Sequence, residues 1–103
     1  MEILTIKGNL TDDPKLTYLK DTGMPVADFT IASNYKQRAN FRRCKMWGKP
    51  AESFANNANI KKGTGVLAYG ILEYDSYEKD GREIRTETLN VNGWSFAGGK
   101  KED

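Results

Sequence analysis

The chain is predicted to be all-β: one small barrel of five short strands, with a single helix between the third and the fourth. Three observations predict this. Segments that alternate apolar and polar residues recur along the 103 residues, separated by turns rich in Asp, Pro and Gly. Only one stretch, Pro50 to Ala58, carries apolar residues at three- and four-residue spacing. Gly65 and Gly70 fall inside an aliphatic segment, where a closing barrel needs sharp bends or close backbone approach.

The first strand covers residues 2–10, with Leu4, Ile6, Gly8 and Leu10 on one face and Ile3, Thr5 and Lys7 on the other. Thr11-Asp12-Asp13-Pro14 is a turn, since Asp bonds its own backbone and Pro fixes φ. A short extended piece, Lys15 to Leu19, leads into a second turn at Lys20-Asp21-Thr22-Gly23. The second strand runs from Val26 to Ser33, where Ala27, Phe29 and Ile31 alternate with Asp28, Thr30 and Ala32. Asn34 to Asn40 is predicted as a polar, basic hairpin loop, and the third strand follows from Phe41 to Trp47.

Pro50 suits the first turn of a helix, where its missing donor costs nothing. Ala51, Phe54, Ala55 and Ala58 form the apolar stripe of that helix, and Asn56, Asn57 and Asn59 end it near Ile60. Lys61-Lys62-Gly63 turns the chain into a fourth strand, Thr64 to Tyr74. A polar stretch, Asp75 to Glu83 with Asp80-Gly81 at its turn, links to a fifth strand from Ile84 to Val91. This order is that of a five-stranded Greek-key OB-fold barrel over residues 1–97, with 98–103 as a short flexible C-terminus.

Composition excludes several functions. No stretch approaches the ~18 consecutive apolar residues of a membrane span. The start, Met-Glu-Ile-Leu-Thr-Ile, has neither the basic nor the apolar region of a signal peptide, so a cytoplasmic compartment is expected. One cysteine cannot staple the fold, and the absence of histidine removes the commonest metal ligand. Cys44 is expected to be a buried thiol. No cofactor, metal or catalytic site is predicted: no triad or thiol–imidazole pair can be built. Asp12 with Asp13, and Asp75, Glu78 and Asp80, read as solvated turn acids before metal ligands.

The functional signal lies in residues 35–49. They hold six basic side chains, three aromatics and no acid, in a chain of net charge +2. A strand from Phe41 to Trp47 places Phe41, Arg43, Lys45 and Trp47 on one face and Arg42, Cys44 and Met46 on the other. Flat rings alternating with cations suit a single-stranded nucleic acid, whose bases stack on the rings while its phosphates meet the cations. The competing reading makes Phe41 and Trp47 ordinary core, with Arg43 and Lys45 snorkelling. Tyr69 and Trp94 are expected to fill core or a subunit interface.

Over nearly its whole length the chain resembles the bacterial single-stranded-DNA-binding protein family. The resemblance is carried by Gly8-Asn9-Leu10 with Asp13-Pro14, by Val26 to Ala32, and by Met46-Trp47-Gly48-Lys49 with Ala51-Glu52. Lys62-Gly63, Gly70 and Thr86-Glu87 follow in order. It implies an OB-fold that binds and protects single-stranded DNA without sequence preference in replication, recombination and repair, as a homotetramer or, second, a dimer. It also implies that Tyr35, Phe41, Trp47 and Tyr77 stack bases; on charge, Lys7, Lys36, Arg38, Arg43, Lys45 and Lys49 are expected to neutralise phosphates. Arg42 stands where the family often has a histidine near a subunit contact. Residues 73–87 hold six acids against three bases, so the stretch around Tyr77 is expected to repel phosphate. The family's acidic, apolar-tipped tail has no counterpart in Ser95 to Asp103, so tail-dependent protein partners are not expected, and Lys100 and Lys101 add weak phosphate contacts. The alternative is an adaptor of the primosomal type, a dimeric OB-fold that assembles replication proteins. A cold-shock RNA chaperone lacks support, because the dense aromatic pairs on adjacent strands are missing.

Overall fold

A computed structural model describes residues 1–97, leaving aside the side chain of Tyr35. The expected flexible segment, residues 98–103 with Lys100 and Lys101, lies outside the described residues. The strands are β1 (Glu2–Leu10), β2 (Lys15–Tyr18), β3 (Pro25–Tyr35), β4 (Arg38–Trp47), β5 (Gly65–Lys79) and β6 (Arg82–Phe96), with helix α1 (Lys49–Ala55) between β4 and β5. Their order in the sheet is β1-β5-β6-β4-β3-β2, and β1 also pairs with β3. That extra pairing closes five strands into the OB-fold barrel, while the short β2 extends along the edge of β3. All pairings are antiparallel except a two-residue parallel seam, Cys44↔Leu89 and Lys45↔Asn90, between β4 and β6.

Closure depends on backbone approach at two glycines. A Cβ on Gly8 would lie 2.2 Å from the carbonyl oxygen of Ala32, where β1 crosses onto β3. A Cβ on Gly70 would lie 1.9 Å from the carbonyl oxygen of Asn90, beside a register shift between Tyr69 and Gly70. Both positions therefore need the absence of a side chain.

The alternation read in the sequence is realised inside this barrel. Leu10, Ala27, Phe29, Ile31, Cys44, Met46, Val66, Ala68 and Leu89 all point inward and are buried. Helix α1 plugs one end with Phe54, fully buried, its ring 4.6 Å from that of Phe29 and 5.0 Å from that of Trp94. Removing such a ring from a core costs about 3–5 kcal/mol. The Tyr18 hydroxyl donates to Glu52 Oε2 at 2.8 Å, tying β2 to the helix.

Several boundaries differ from expectation, β6 for one running on to Phe96 rather than ending at Val91. Asn34 to Asn40 is not a loop: β3 and β4 stay in register to Tyr35↔Arg38, leaving only Lys36 and Gln37 as the turn, at φ 51° and 62°. The polar residues 75–83 are likewise not a linker. They continue β5 and β6 into a two-stranded arm, paired down to Lys79↔Arg82 around Asp80-Gly81. The helix stops at Ala55 rather than near Ile60, because Asn57 Oδ1 accepts the Asn59 backbone N–H at 2.9 Å and offers the chain a local turn instead. Ala58, read as part of the helical stripe, is accordingly exposed.

Candidate nucleic-acid interface

Along β4 the inward residues Cys44 and Met46 are each 2% exposed, whereas Phe41 and Trp47 on the outer face are 65% and 42% exposed. The core is complete without them, which rules out the core reading of both rings. Arg43 and Lys45 stand between them on the same face. Alternation in the sequence thus becomes a ring–cation–cation–ring stripe on the outside of the barrel.

Neighbouring strands fix how this stripe is presented. The Trp47 indole N–H donates to Asn90 Oδ1 at 3.0 Å, across the parallel seam. Lys45 Nζ lies 6.0 Å from the Trp47 ring centroid and 3.1 Å from Asp28 Oδ1. Asp28 is in register with Lys45 on one side and Lys15 on the other, so one carboxylate sits between two cations. Arg43 is opposite Thr30 and has no ion pair among the described residues. A groove of about 370 Å³ runs between the Thr11–Asp13 turn and this face, lined by Lys15, Asp28, Arg43 and Lys45 among others.

The remaining candidates are more dispersed. Lys49 opens α1, exposed and two residues past Trp47. Lys36 and Arg38 lie at the far end of the β3–β4 hairpin, where Arg38 pairs in register with Tyr35. The backbone of Tyr35 ends β3; its side chain lies outside the described residues. Lys7 is exposed on β1, two residues before Asn9, which connects through Ala32 to Phe41 in register.

Tyr77, 53% exposed, stands on the β5–β6 arm opposite Ile84. Register sorts the charges of this arm by face. Glu73, Asp75 and the pair Lys79↔Arg82 share the face of Tyr77, while Glu78↔Glu83 and Glu87 occupy the other. The acidic excess counted along the sequence is therefore not what Tyr77 meets toward the tip, where two cations flank it. Sequence reasoning missed Lys15, Lys79 and Arg82. The signal for the last two was Asp80-Gly81, a dipeptide typical of a two-residue hairpin turn, with φ 53° and 74°.

Arg42 has a partner within the chain: its Nη1 is 2.7 Å from Glu87 Oε1. Nearby, the Tyr74 hydroxyl donates to Glu2, a bond that raises the Tyr74 pKa. Cys44 is buried, and burial pushes its thiol up to about 12, so it is not a nucleophile at neutral pH. Trp94 packs on the core edge, whereas Tyr69 lies on the outer face over Gly93, 47% exposed. Among the described residues no group of three or more His, Cys, Asp or Glu is placed to hold a metal ion. No helix among them is long and apolar enough to cross a membrane.

The single-strand binding protein family matches residues 1–96. The chain belongs to that family. Family relatives include a "Single-stranded DNA-binding protein" of Aquifex aeolicus, 37% identical over 77% of this chain and 58% of the relative. "Single-stranded DNA-binding protein 3" of Listeria innocua is 33% identical over 98% of this chain and 66% of its own. "Single-stranded DNA-binding protein 2" of Clostridium acetobutylicum is 40% identical over 80% and 66%. The chain thus spans roughly three-fifths to two-thirds of the length of these family members.

Proposed function

We propose that this protein binds single-stranded DNA without sequence preference and protects it during replication, recombination and repair, as a binding protein of the bacterial cytoplasm and not an enzyme. The observation that carries this reading is the exposure of Phe41 and Trp47 on either side of Arg43 and Lys45 along one strand. Exposed rings are available to stack on bases, a contact every base can make because each has a π-face. Arg43, Lys45 and Lys49, with Lys15 beside them, would neutralise the phosphates of that segment. Lys7 extends this charge on one side, Lys36 and Arg38 extend it along the β3–β4 hairpin, and Tyr35 is proposed there as a further stacking ring. Tyr77 with Lys79 and Arg82 provides a second contact region on the arm.

Self-association belongs to the same proposal, with a tetramer favoured and a dimer second. β1 pairs with β5 along one side but with β3 only through Asn9 and Leu10, so among the described residues most of its other edge has no partner strand. An unpaired edge is a template for a second copy. Ile3, 73% exposed and in register with Ile71, adds apolar surface beside it. The test is a binding isotherm with an unstructured oligonucleotide at two salt concentrations, together with solution mass by light scattering. Each phosphate contact should contribute about −0.7 to the log–log salt slope. Affinity indifferent to salt, or a mass near the 11.6 kDa of one chain, would overturn the corresponding half of the reading.

A further inference from the structure

Behind the outer stripe lies a concavity of about 230 Å³ between the end of β4 and the irregular part of β6. Trp47, Pro50, Gly93 and Trp94 form its walls, and Asn90 and Asn92 contribute polar groups. Its origin is local. The register shift pairs Tyr69 with Gly93 and Gly70 with Val91, so Asn92 has no partner on β5 and β6 bends there. Gly93 contributes only backbone here, because the Tyr69 ring lies over it and would collide with any Cβ. Trp94 is held edge-on against both Phe54 and Phe96, at 5.0 Å each, and this braces its indole.

The chemistry of the walls is selective. Two indoles and a proline ring offer flat apolar surface. Asn90 Oδ1 already accepts from Trp47, whereas the Asn92 amide is exposed and makes no side-chain hydrogen bond among the described residues. The volume is below the ~300–1,000 Å³ of pockets that take drug-sized ligands. A single planar heterocycle suits such a space.

We propose that this concavity receives one nucleobase of the bound strand, stacked against indole and hydrogen-bonded at its edge by Asn92. The occupant follows from continuity: Trp47 belongs to both the β4 stripe and the concavity, so a strand stacked on Trp47 passes its next base across the mouth. An amide carries both donor and acceptor, so Asn92 can serve any base edge. That matches binding without sequence preference. This inference rests on the single-strand reading above.

The test is fluorine NMR of the intact protein labelled with 5-fluorotryptophan. Its two tryptophans give two resonances, and Trp47→Phe assigns them by the loss of one. Saturation with a short oligothymidylate should shift both resonances together. Asn92→Ala should weaken binding ~5-fold, the loss of about one hydrogen bond, and diminish the Trp94 shift while leaving that of Trp47. A Trp94 resonance that stays fixed while Trp47 moves overturns the base pocket and leaves the single-strand reading intact. An abasic oligomer that shifts Trp94 as strongly as oligothymidylate also overturns it, because the site would then be answering the backbone. No movement of either resonance, with no rise in anisotropy of a labelled oligomer, overturns the single-strand reading itself.

Discussion

Trp47 and Asn90 join the two strands of the parallel seam through one hydrogen bond, indole N–H to amide oxygen at 3.0 Å. The bond joins two exterior side chains, so its main effect is on orientation: it presents the indole at a set angle on the outside of β4. A ring held this way loses less freedom when a base stacks on it. Asn90→Ala should therefore weaken single-strand binding by about 0.5–1.5 kcal/mol, the net worth of an ordinary hydrogen bond. Thermal stability should change little, and a titration paired with a melting curve separates the two effects.

Asp28 should act in the opposite direction. Its carboxylate holds Lys45 Nζ at 3.1 Å, and both side chains are substantially solvated. An exposed pair of this kind contributes about 0–1 kcal/mol to folding. In the bound state, however, the acid competes with phosphate for the lysine. Asp28→Asn should tighten binding and steepen the log–log salt slope by about 0.7, the contribution of one additional phosphate contact. An unchanged slope would show that Lys45 does not touch the strand.

Cys44 contributes a defined part of the response of stability to alkali. Its folded pKa is about 12 against an ordinary 9.0, because burial disfavours the thiolate. The folded state thus retains this proton where the unfolded chain releases it. Stability from this group is fully present below pH 9 and falls as pH rises from 9 toward 12, by at most about 1.4 kcal/mol per unit. Denaturant midpoints across that range check the slope, and Cys44→Ala should flatten it.

Much of the barrel was legible because period-two patterning survives wherever one face of a strand is buried. Ala27, Phe29 and Ile31, or Cys44 and Met46, announce their inward face by residue type alone. The ends of β3–β4 and β5–β6 were not legible for the same reason. Leaving Tyr35 aside, neither face is buried from Asn34 to Asn40 or from Glu73 to Glu83, so no burial pattern marks these strand ends. The β4 stripe could be read directly, since its four residues lie on one strand. Lys15 could not, because only the register of β2 on β3 brings it beside Asp28. Nor could the concavity at Gly93, which depends on a shift in pairing between two strands distant in sequence.

The central claim is that Trp47 is a stacking platform on the outside of a barrel that folds without it. The most direct measurement is a titration of wild-type protein and Trp47→Ala with an unstructured single-stranded oligonucleotide, each accompanied by a thermal melt. OB-fold single-strand binders, of which this family is an example, lose ~1–3 kcal/mol per stacked ring removed. The account predicts a loss of binding of that size with a nearly unchanged melting midpoint. A variant that unfolds while its folded fraction binds DNA as well as the wild type would contradict it.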